Sequence, residues 1–272
     1  VVIYLDKFVG RLGNQLFQIA STVGIARLRG LEPRFPEWDY APVFNIPEEF
    51  FESFDDELRM NVLDCASELD ERERVYLQNV QYFDHVREEI LQMFSPSSAA
   101  EDIIDPSVRT LREISQTGSV LSIHVRRGDI LSHPEYHPVR SIQYYADALE
   151  EVGSYDSVAV FSDDVEWCAK VLAPKLGLRV DFYGSGISRS PIPSQYEKDG
   201  PVDWQDLFLM KACSSHVISN STYAWWGAYL SEDKHPIYPS NWFGRELQNQ
   251  AHPELLFPDL WIQVHDDTQG GI

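Results

Sequence analysis

From Ser119 onward, short apolar runs rich in β-branched residues alternate with segments of helical periodicity: SVLSIHV, SIQYYADALEEV, SVAVF, DDVEWCAKVLAPKLG, LRVDFYG, QDLFLMKACSS, HVIS and NSTYAWWGAYL. Strands that alternate with helices of roughly ten residues imply an α/β fold, a parallel sheet with right-handed crossovers. The chain start shows the same unit once. Val1 to Leu5 is a strand-like run, DKFVGRLG a glycine loop, and NQLFQIASTVGIARLRG a helix in which Leu16, Ile19, Ala20, Val23 and Ala26 recur at helical spacing before Gly30 stops it. Residues 33–60 have no clean period, and 61–117 read as helices and loops, most helical from Asp84 to Met93. A boundary is expected at ISQTG, separating an N-terminal lobe, 1–117, from a C-terminal lobe, 118–272. The Pro-, Trp- and His-rich end of the chain is expected to wrap back over one lobe, with HDDTQGGI as a polar tail.

The 272 residues are 43% hydrophobic and 12% aromatic, which fits a folded protein. Twenty-two basic against 43 acidic residues give a formal charge of −21, which opposes general binding to nucleic acid or anionic membranes. An anionic ligand would need a local group of arginines. Cys65, Cys168 and Cys213 are far apart and lack metal-ligand spacing, so three reduced thiols in or near the core are expected. No apolar run approaches the roughly 20 residues that span a bilayer. The expectation is a soluble chain without membrane contact, cytoplasmic if bacterial and lumenal in the Golgi if an anchor has been removed.

Ligands of open α/β sheets bind outside the carboxyl ends of the strands, and four strand ends here carry polar residues. In SVLSIHVRRGD, residues two apart share a face, so Ser122, His124 and Arg126 align as the strand exits. An arginine there can hold a phosphate through its planar fork, although a solvated or structurally paired arginine is the commoner fate. Gly128 permits a sharp turn, and Asp129 can pair with an arginine or cap the next element. GRLGNQ joins a strand to a helix, a junction that aims main-chain N–H groups at an anion; Gly10 and Gly13 allow close approach, and an ordinary βα turn is the alternative. VAVFSDDVEW sets Ser162, Asp163 and Asp164 at a helix start, where one of them suffices as a cap and a carboxylate can also receive paired N–H donors from a guanine edge. In SHVISNSTYAWW, Ser219, Asn220, Ser221 and Thr222 form either a polar turn or a hydroxyl- and amide-lined anion seat.

Taken together, these segments resemble the GDP-fucose-dependent fucosyltransferases, most closely the alpha-1,2-fucosyltransferases of glycosyltransferase family eleven. The resemblance is carried by GRLGNQLFQ (Gly10 to Gln18), HVRRGDI (His124 to Ile130), FSDDVEW (Phe161 to Trp167) and SNSTYAWWGAYL (Ser219 to Leu230), in that order, and by YPSNWF (Tyr238 to Phe243). Ile130 stands where that pattern has Tyr, and LSHPEYHPVRS does not align with it.

The resemblance implies a GT-B-like arrangement of two Rossmann-like lobes with the donor in the cleft. It also implies metal-independent transfer of L-fucose from GDP-fucose to a galactose-terminated glycan, with inversion; no D-x-D motif occurs in the sequence. On this reading Arg126 stabilises the leaving diphosphate, helped by Ser219, Asn220, Ser221 and Thr222. His124 meets the nucleoside and Asp163 the guanine. Gly10, Arg11, Gly13 and Asn14 close on the diphosphate and fucose. Asp129, Glu135 and His137 are the candidate bases. Trp38, Tyr136, Trp204 and Trp242 can stack on sugar faces if exposed, core packing being the commoner fate. Two other enzyme classes share the donor features, protein O-fucosyltransferases and other GDP-sugar transferases. An adhesion or carbohydrate-binding protein displaying Arg127-Gly128-Asp129 is the reading from a different class.

Overall fold

A computed structural model describes residues 1–51, 59–66, 75–104, 106–184, 203–247 and 252–266. The chain divides into two compact units, one of Val1–Ile103 with Gln250–Pro258, the other of Ile104–Asn249 with Asp259–Ile272. The division therefore precedes the expected boundary at 117. Helix Pro106–Thr117 packs on the first strand of the second unit and on helix Asp203–Lys211, so its partners assign it there. The polar tail beyond Asp266 lies outside the described residues.

In the first unit, β1 (Val2–Tyr4) is the middle of a parallel three-stranded sheet between β2 (Glu32–Arg34) and β3 (Arg59–Asn61). Pro33 is tolerated because β2 is an edge strand. Helix α1 (Leu12–Leu28) follows β1, with Leu16, Ile19, Ala20, Val23 and Ala26 fully buried, as their spacing predicts. It closes with Gly30 N–H donating to Arg27 O and Leu31 N–H to Ala26 O, the paired bonds of a Schellman motif. The helix begins two residues before the predicted NQ start, so Gly13 belongs to its first turn rather than to the loop.

The second unit holds a six-stranded, all-parallel sheet: β4 (Val120–Val125), β5 (Ser157–Ser162), β6 (Val180–Gly184), β7 (Ser215–Val217), β8 (Ile237–Pro239) and β9 (Ile262–Val264). Their order across the sheet is β6-β5-β4-β7-β8-β9, so the winding reverses between β4 and β7. This is the order of doubly wound nucleotide-binding sheets, in which the reversal opens a crevice at the strand ends. Leu121, Ile123 and Val125 join one core cluster with Tyr144, Tyr145 and Ala148 of helix α2 (Ile142–Val152), which leaves Ser122 and His124 on the other face. β9 was not legible as a strand. Three residues beside Pro and Trp carry too little periodicity, and pairing with β8 supplies what local propensity lacks.

Candidate functional site at the β4 and β7 strand ends

The β4–β7 ladder stops at Ile123 opposite Val217, and no ladder pair joins the two strands beyond it. Side chains bridge the gap. His124 Nδ1 lies 2.8 Å from Ser219 Oγ, and Arg126 Nη1 donates to the Asn220 carbonyl at 3.2 Å. Two adjacent tyrosines of α2 secure the same ends: Tyr144 donates to the Ile218 carbonyl at 2.6 Å and Tyr145 to the His124 carbonyl at 3.3 Å. Both rings are fully buried, and burial raises both phenol pKa values well above 10. The tyrosines thus act as neutral donors that satisfy main-chain carbonyls where the sheet splits. Their adjacency in SIQYYAD was the available signal, and sequence reading passed over it.

Burial also depresses His124, whose pKa falls from 6.5 to about 3, with the nearby Arg126 charge acting in the same direction. The imidazole is therefore neutral at physiological pH. Its ring faces Tyr223 at 6.2 Å between centroids. Ser219, Asn220 and Ser221 are buried, and Asn220 Nδ2 donates to the Trp242 carbonyl at 3.3 Å. Thr222 opens helix α3 (Thr222–Tyr229), for which Ser221 is the N-cap residue without a side-chain cap bond.

Arg126 is held by a carboxylate as well. Asp129 accepts from its Nε at 3.1 Å and from its Nη2 at 2.8 Å, a two-point pair at the turn after β4. Arg127 is turned the other way: its Nε pairs with Asp164 at 3.1 Å and its guanidinium stacks 4.0 Å from the Trp167 ring centroid. Asp164 also caps the helix that starts at Val165, accepting from Trp167 N–H at 3.1 Å, which is the capping role foreseen for one residue of this junction. Asp163 is exposed, with one oxygen on the Arg127 main-chain N–H at 2.7 Å. A Cβ on Gly128 would stand 2.8 Å from that carboxylate, so the glycine lets the Asp163 side chain lie against the turn. Arg127-Gly128-Asp129 is thus part of a bonded turn rather than a free tripeptide.

The segment after Asp129 is fixed by the late YPSNWFG stretch. Gly244 N–H donates to the Tyr136 carbonyl at 2.8 Å and Glu246 N–H to the Glu135 carbonyl at 3.2 Å. Glu135 lies 3.6 Å from His133, and His137 packs near Phe243. Arg140 and Asp266, both buried, form an ion pair at 3.1 Å, and Arg140 also bonds Asn241 and the Pro138 carbonyl. This pair ties LSHPEYHPVRS to the ends of β8 and β9, a long-range partnership that no local pattern announces. Trp38, Trp204 and Trp242 are buried, and Tyr136 is exposed.

In the first unit, the GRLGNQLFQ residues bond one another and their own surroundings. Fully buried Gln18 accepts from Val9 N–H at 3.1 Å and donates to the Val9 and Val75 carbonyls at 3.3 and 2.8 Å. Gln15 donates to the Gly10 carbonyl at 2.9 Å and accepts from Trp38 at 2.7 Å, and Asn14 accepts from Gln78 at 3.0 Å. Gly10 has φ +81°, and a Cβ there would stand 2.3 Å from Asn14 Nδ2. Arg11, expected to contact the donor, is the exposed N-cap residue of α1. Cys168 and Cys213 are buried free thiols and Cys65 a half-buried one. Among the described residues no helix is long and apolar enough to cross a membrane, and no group of three or more His, Cys, Asp or Glu is placed to hold a metal ion.

A doubly wound parallel sheet with an arginine, a neutral histidine and a hydroxyl–amide turn at its reversal point defines an α/β module of the class whose ligands bind outside the carboxyl ends of the strands. Residues 64–263 match the model of Glycosyl transferase family 11, and the chain belongs to that family. It is similar to the O-antigen biosynthesis glycosyltransferase WbnK of Escherichia coli, 30% identical over 70% of this chain and 59% of that protein. An alpha-1,2-colitosyltransferase of Escherichia coli is 29% identical over 70% and 61%, and a galactoside 2-alpha-L-fucosyltransferase, Sec1 of Mus musculus, 28% over 95% and 73%. The chain therefore spans about three fifths of the length of the two bacterial relatives.

Proposed function

We propose that this chain transfers L-fucose from GDP-fucose to the 2-hydroxyl of a galactoside, with inversion and without a metal ion. The observation that carries the reading is the convergence of His124, Arg126, Ser219 and Asn220 on the β4–β7 reversal point, within the stretch that matches the family. As the sugar–oxygen bond breaks, negative charge grows on the departing diphosphate. A guanidinium keeps its charge throughout the working pH range. Arg126 stabilises the growing charge more than it stabilises the ground state and so lowers the barrier. Ser219, Asn220, Ser221 and Thr222 add neutral donors to the same phosphates; His124, held neutral, meets the nucleoside; the second oxygen of Asp163 takes the guanine edge. Gly10, Arg11, Gly13 and Asn14 are assigned to the donor on the motif alone. Asp129 is bonded to the cation that serves the leaving group, whereas an inverting attack comes from the opposite face, which argues against Asp129 as the proton acceptor and leaves Glu135 and His137 as candidates.

The direct test is transfer from GDP-fucose to a galactose-terminated oligosaccharide in excess chelator, with linkage analysis of the product. An alpha-1,2-linked fucoside is expected. Turnover that depends on added Mg²⁺ or Mn²⁺ contradicts the metal-free reading, and a different linkage contradicts the acceptor assignment. The colitosyltransferase relative supports a second reading, in which the donor sugar is not fucose. Competition between nucleotide sugars decides between them.

A further inference from the structure

Among the described residues, Arg126 and Arg127 meet three carboxylates at the β4 exit. Arg126 is paired with Asp129, Arg127 with Asp164, and Asp163 accepts from the Arg127 main chain. Asp129 thus occupies the guanidinium edge of Arg126 that a phosphate would take, so a donor phosphate on that edge must displace it. Resting on the donor reading above, we propose that Asp129 is a carboxylate placeholder on Arg126, displaced from the Nε–Nη2 edge when a donor phosphate binds.

The geometry supports an exchange. A carboxylate meets that edge with two oxygens, the same two-point pattern that a phosphate presents to a guanidinium. The side chain of Asp129 is 43% exposed and that of Arg126 is 22% exposed, so the pair is open to water and screened by it. The Asn220 carbonyl keeps its hold on Nη1 throughout and fixes the guanidinium in place. Arg127 is engaged differently, with its Nε on Asp164 and its guanidinium stacked on the Trp167 ring. Were Asp129 to stay, its charge would oppose the diphosphate at close range. The competition also favours catalysis: charge on the phosphate grows as the bond breaks and that on Asp129 does not, so Arg126 shifts further toward the phosphate in the transition state.

Calorimetric titration of the full chain with GDP tests the exchange. Asp129→Asn removes the competing charge, and GDP should bind about tenfold more tightly than to wild type, with the melting temperature unchanged. GDP binding that is equal or weaker overturns the exchange, because a carboxylate that only orients Arg126 would aid binding. Asp129→Ala should shift affinity in the same direction, and it decides the matter if Asp129→Asn does not fold. A wild-type chain that fails to bind GDP sinks the donor reading itself, a result distinct from GDP binding that Asp129→Asn leaves unimproved.

Discussion

The two glycine-bearing strand exits at β1 and β4 are equally conspicuous in the sequence, yet their side chains are used differently. In GRLGNQLFQ, Gln15 and Gln18 are bonded to main-chain groups of the loop that precedes them, so much of the motif builds its own junction. In HVRRGD, the polar side chains reach across to another strand end and to charged neighbours, and Arg126 stays partly exposed. A motif therefore reports that a local geometry is demanding. Whether the demand is structural or chemical is read from where its polar atoms point.

Acid should separate the two junctions most strongly. His124 is neutral in the folded chain down to about pH 3, while in the unfolded chain it titrates near 6.5. Between those values the unfolded state binds the extra proton. Stability supplied by the neutral histidine is whole above 6.5 and is lost as pH falls toward 3, by an amount on the order of 5 kcal/mol at full extent. Denaturation midpoints measured across this range should fall steeply for wild type and less for His124→Gln. Equal acid slopes would remove the buried neutral histidine from the account. The Gln15 and Gln18 clamps have no titrating group and predict no such slope.

Gln18→Ala comes next. It strips partners from the Val9 N–H and from the Val9 and Val75 carbonyls, so stability should drop by about 2–3 kcal/mol. A variant that melts like wild type but transfers poorly would show that this junction does chemistry, and the contrast with β4 would fail.

Much of this was legible in the sequence where the signal is local. The β-branched runs and helical spacings located the alternating elements of the second unit, and the period of two put Ser122 and His124 on the face away from Leu121, Ile123 and Val125. Tertiary partners were not legible. The pairing of Asp129 with an arginine was one of two readings open in the sequence, but Arg127 on Asp164 and Trp167, and Arg140 on Asp266, are choices among many possible charge pairs, made by the folded chain rather than by spacing. The same holds for β9, which exists through its pairing with β8, and for helix Pro106–Thr117, whose packing sets the division between the units.

In the proposed function, the planar fork of Arg126 stabilises the leaving diphosphate. The rate of fucose transfer from GDP-fucose by Arg126→Lys, measured beside its melting temperature, tests this most directly. Lysine keeps the charge and loses the two-point geometry, so transfer should fall at least about tenfold, roughly 1.4 kcal/mol, with little change in melting. Near-normal turnover would contradict the claim.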